Sequence, residues 1–115
     1  MHFHFFFFIF LLFISEASAA TVAIFSVQNG KGLQADRVVL KKALEDLGHK
    51  IIERDLFAAC MNDTSQVDIN IFFEIINENF LDKAKKNWFV PNPECYCQEI
   101  ALLNNIDLIL CRTHE

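Results

Sequence analysis

The chain has 115 residues, 53% hydrophobic and 22% charged, with a formal net charge of −5 at neutral pH. That length holds one domain. The mild acidity argues against a nucleic-acid binder, which would carry a basic stripe; the one basic cluster, Lys83, Lys85 and Lys86, reads as the solvated side of a short helix.

Residues 1–19 stand apart. Seven of the 13 phenylalanines lie between Phe3 and Phe13, in an unbroken apolar run over residues 5–14, followed by Ser15, Glu16 and the small-x-small triplet Ala17-Ser18-Ala19. This is the pattern of a secretory leader cut before Ala20. The run is short of the roughly 20 apolar residues that span a bilayer as a helix. The leading residues carry His2 and His4 but no Lys or Arg, which leaves an uncleaved anchor or a mistaken upstream start as alternatives. A genuine leader implies a secreted or membrane-associated protein, and its absence a cytoplasmic one. Removing residues 1–19 takes away one acid, Glu16, and shifts the formal charge from −5 to −4.

From residue 20 onward the pattern is that of one α/β domain. Residues 21–27 form a continuous apolar run before Gln28-Asn29-Gly30-Lys31-Gly32, which predicts a strand buried on both faces and then a sharp turn. Leu33, Val39, Leu40, Ala43, Leu44 and Leu47 recur at helical spacing, with Asp36 in the first turn and Gly48 as the left-handed cap. A short second strand follows at residues 50–54, then a polar loop with Asn62-Asp63-Thr64, which fits an N-glycosylation pattern, then a third strand at residues 67–73 ending at Glu74. Residues 77–86 predict a short helix, and Trp88-Phe89-Val90 a fourth strand stopped by Pro91-Asn92-Pro93. Residues 94–103 put Cys95, Ile100 and Leu103 on one helical face, and residues 106–111 predict a fifth strand.

Strands alternating with helical segments imply right-handed crossovers and a parallel, Rossmann-like sheet of about five strands. In the Rossmann order the first and fourth strands are neighbours with a crevice at their carboxyl ends. That order sets residues 29–32 beside residues 91–94, with Glu74 and Arg112-Thr113-His114 on the same rim.

Individual motifs are weak. Gly30-Lys31-Gly32 could cradle a phosphate at a helix N-terminus, or simply turn the chain; it has neither the third glycine of a dinucleotide fingerprint nor the ending of a P-loop. Glu74 and Glu94 could accept a sugar hydroxyl or act as a base, or cap a helix. Cys60, Cys95, Cys97 and Cys111 have neither a disulfide-framework spacing nor that of a zinc site, and Cys111 reads as a buried core thiol. No metal or cofactor is expected.

Three linked blocks carry a resemblance: V-D-I-N-I-F-F-E from Val67, K-A-K-K-N-W-F-V-P-N-P-E from Lys83, and I-D-L-I-L-C-R-T-H-E from Ile106. With the strand, glycine turn and helix before them, they resemble the N-terminal domain of group 1-type glycosyltransferases of the GT-B fold, departing at Cys95, where that group has an aromatic residue. The resemblance implies a first domain holding the acceptor and a second, absent here, binding the nucleotide-sugar donor. It places Asn29, Gly30 and Gly32 on the loop facing the donor phosphates, and Glu74, Asn92 and Glu94 on the rim of the acceptor cleft. Its implied partners are a nucleotide-sugar and an acceptor, each only when the second domain is supplied, with membrane association through the leader and no nucleic acid. The fragment itself is expected to be inactive. The competing expectation is a small exported Rossmann- or flavodoxin-like binding module without catalysis.

Overall fold

The computed structural model describes residues 19–26, 32–57, 66–92 and 98–111. Five strands form one all-parallel sheet: β1 (Thr21–Ser26), β2 (Lys50–Asp55), β3 (Val67–Phe73), β4 (Ala84–Val90) and β5 (Leu108–Ile109). The chain is an α/β protein with a Rossmann-like arrangement. One α-helix, α1 (Gly32–Asp46), joins β1 to β2, and two 3₁₀ segments, η1 (Glu78–Lys83) and η2 (Ile100–Asn105), lie between β3 and β4 and between β4 and β5.

The central strands are apolar on both faces because both are covered. On one face Val22, Ile24, Ile69, Ile71, Trp88 and Val90 form a core with Leu40 and Leu44 of α1. On the other, Ala23, Phe25, Phe72 and Phe89 pack with Leu56, Ile76 and Phe80, and Leu102, Leu103 and Ile106 close over them. Helix α1 ends where expected: Gly48, at φ 93, takes the left-handed conformation, and its N–H donates to the Glu45 carbonyl at 2.9 Å.

The strand order is β2-β1-β3-β4-β5. The neighbour of β1 is therefore β3, not β4, and the expected side-by-side placement of the first and fourth strands is corrected. With a single strand outside β1, this order equals a Rossmann order that lacks its outermost strand, so each strand beyond β1 moves one place inward.

Smaller corrections have local causes. The basic cluster is split: Lys83 ends η1, while Lys85 and Lys86 lie in the first half of β4, which starts at Ala84, ahead of the expected Trp88. Exposed lysines at the strand's entry masked its length. The fifth strand is confined to two residues, and Leu110, not Cys111, takes the last buried position, so the Cys111 thiol is exposed. Ile100 is 78% exposed, since η2 has too few residues to present a continuous apolar face. Leu108 and Ile109 are partly exposed at the edge of the sheet. Cys60, Cys95, Cys97, the Asn62-Asp63-Thr64 motif and residues 1–18 lie outside the described residues.

Candidate functional site

In a parallel sheet the carboxyl ends of the strands gather on one rim, and ligands bind where successive crossovers part to opposite faces. Here α1 leaves β1 on one face and η1 leaves β3 on the other, so the parting lies between β1 and β3. An open cleft of about 280 Å³ sits at this rim, lined by Leu56, Phe57, Ile75, Ile76, Asn77 and Asn79 together with Glu78 and Gln98.

Its walls are fixed by side-chain amides. Gln98 grips the backbone of Ile76 at both ends, donating from Nε2 to the Ile76 carbonyl at 2.8 Å and accepting the Ile76 N–H at Oε1 at 2.7 Å. Asn77 donates from Nδ2 to the Leu56 carbonyl at 3.1 Å and caps η1 by accepting the Asn79 N–H at 3.1 Å. Leu56 in turn donates its N–H to the Ser26 carbonyl at the end of β1. These bonds tie the ends of β1 and β2 to the segment after β3, leaving Phe57 71% exposed at the mouth.

Glu74 stands at the end of β3 in a conformation rare for a residue with a Cβ, φ 74. Its N–H donates to the Val90 carbonyl at 2.8 Å, continuing the β3–β4 pairing, and its Oε1 lies 3.5 Å from Nδ2 of Asn92, just past β4. Two of the three rim residues expected from sequence, Glu74 and Asn92, are thus brought together. Gly32 opens α1, while Asn29, Gly30, Glu94, His114 and the rest of residues 112–114 lie outside the described residues.

Phe57, Asn77, Asn79 and Gln98 were not legible as site residues. Gln98 meets Ile76 across 22 positions, and no local pattern encodes that pairing. Phe57 follows a strand, but its place beside the end of β3 depends on β2 and β3 flanking β1. Other polar groups hold the scaffold: Arg37 and Lys41 of α1 both pair with Glu53 of β2, and the Arg54 guanidinium lies 5.0 Å from the Phe80 ring.

Among the described residues no three His, Cys, Asp or Glu side chains converge as metal ligands, and no helix is long and apolar enough to cross a membrane. Comparison of the chain with models of known protein families, with curated proteins and with solved structures finds no match in any of the three.

Proposed function

We propose that this domain is the acceptor-side half of a GT-B-type glycosyltransferase and that its rim cleft receives a sugar-bearing acceptor. The observation that carries the reading is the lining of the cleft: an exposed aromatic ring, Phe57, beside the amide of Asn79 and the carboxylate of Glu78. The C–H face of a sugar ring packs on an aromatic face, while its hydroxyls need acceptors and donors at the edge. A volume of about 280 Å³ suits one or two sugar rings, being near the lower end of the roughly 300–1,000 Å³ of small-molecule pockets. In this reading Glu74 and Asn92 border the path to the reacting hydroxyl.

Sugar transfer requires a positioned hydroxyl and a stabilised leaving diphosphate, and stabilising the developing charge is usually the larger contribution. That second task belongs to a donor-binding domain. These 115 residues by themselves should therefore bind an acceptor sugar without transferring to it. The test combines a titration of the chain with methyl glycosides, read by backbone amide shifts, with a transfer assay using nucleotide-sugars. Shifts at Phe57 and Asn79 with no transfer support the proposal; measurable transfer, or no shifts at the rim, overturns it.

A second reading is an exported, flavodoxin-like binding module without catalysis, whose fold the strand order supports. The order β2-β1-β3-β4-β5 is also the flavodoxin-like one, in which a single domain holds its ligand at the β1–β3 parting.

A further inference from the structure

We propose that Ala20 is the first residue of the processed protein and that the fold carries a seat for its new α-amino group on His49. The small-x-small triplet ends at Ala19. Ala19 is exposed, whereas Ala20 is half-buried and packs against the core. The Ala20 N–H donates to Nδ1 of His49 at 3.0 Å, its carbonyl accepts the Lys50 N–H at 2.9 Å, and the Thr21 N–H donates to Asp68 at 2.8 Å.

His49 is 5% exposed. Because Nδ1 accepts, the ring proton resides on Nε2, which has no hydrogen-bond partner among the described residues. A buried imidazole held in one tautomer thus presents a single acceptor to the nitrogen of Ala20. Hydrolysis by a signal-peptidase-class enzyme, acting while the chain is still extended, adds water across the Ala19–Ala20 peptide bond. Ala19 departs with the carboxylate, and Ala20 keeps its nitrogen as an amine. The donor that His49 needs is retained and becomes charged, which strengthens the bond. The seat is independent of the sugar cleft, and a processed chain would meet ligands outside the cytosol, as the second reading above requires.

The test expresses the full chain in a secretory host. Intact mass and N-terminal sequencing should give one product beginning at Ala20; a chain retaining residues 1–19, or beginning elsewhere, overturns the processing. In the purified product, acylation of the α-amine by a small active ester near pH 7 should be about tenfold slower in the folded state than in urea. Equal rates overturn the seat. His49→Leu should restore fast acylation if it folds, and persisting protection in a folded variant likewise overturns it; the wild-type comparison with urea decides if the variant does not fold. Neither readout involves a sugar, so it is separate from the fate of the glycosyltransferase reading.

Discussion

Glu74 holds a left-handed backbone at φ 74, a conformation that costs a residue with a Cβ on the order of 1–2 kcal/mol. Strain of this kind persists where surrounding structure enforces it, and it collects at functional sites. A γ-turn centred on Glu74 holds it here: the Ile75 N–H donates to the Phe73 carbonyl at 2.9 Å, while the β3–β4 pairing anchors the turn through the Glu74 N–H and the Val90 carbonyl. Glu74→Gly should therefore raise the free energy of unfolding by about 1 kcal/mol in urea titrations while weakening sugar binding. A loss of stability would show that the side chain serves the fold. Phe57→Ala should leave the urea midpoint unchanged, since the ring is mostly exposed, yet abolish amide shifts on adding methyl glycosides. Asp68 offers a pH signature. The Thr21 N–H and then Lys85 hold its carboxyl below the ordinary 3.8. A depressed folded pKa adds stability that is complete above the unfolded value and is lost as pH falls below 3.8 through the folded one. Asp68→Asn should flatten the fall of the urea midpoint in that acid window, and an unaltered pH profile would remove Asp68 as its source.

At the scale of elements, two buried asparagines do what a longer helix would otherwise do between β3 and β4. Asn70 donates to the Phe80 carbonyl at 2.7 Å and to Asn87 Oδ1 at 2.9 Å, and Asn87 donates to the Leu81 carbonyl at 2.9 Å. This cross-strand pair satisfies carbonyls of η1, whose 3₁₀ geometry leaves few internal bonds. Replacing Asn70 with Leu should cost about 2–3 kcal/mol, measured by urea unfolding, because the Phe80 carbonyl and Asn87 lose a buried partner. Leu44→Ala should cost about 2–5 kcal/mol by emptying the contact of α1 with the sheet. Elements with their own periodicity were legible from sequence. The third strand, in which Val67, Ile69 and Ile71 alternate with polar residues before Phe72-Phe73, matches at both ends, and Gly48 marks the end of α1. Lys85 and Lys86 hid the start of β4, because exposed polar residues at a strand's entry look like a helix's solvated side. The short crossovers were misjudged because 3₁₀ segments are held by tertiary bonds such as those of Asn70 and Gln98, which local spacing does not encode.

At the scale of the molecule, strand order overturned the neighbour expected for β1. Alternating strands and helices imply a parallel sheet but do not say how many strands lie outside β1. With one strand there, the rim next to β1 belongs to Glu74 and Ile75 rather than to Pro91, and the cleft forms beside Phe57. The most direct measurement is an amide-shift titration of the full chain with methyl glycosides. A ligand site at the β1–β3 parting should perturb Phe57, Glu74, Ile76, Asn79 and Gln98 together, saturating in the millimolar range expected of a small polar ligand, about 4 kcal/mol of binding. Shifts confined to the amino ends of the strands or to β5, or no saturable shift at all, would contradict it.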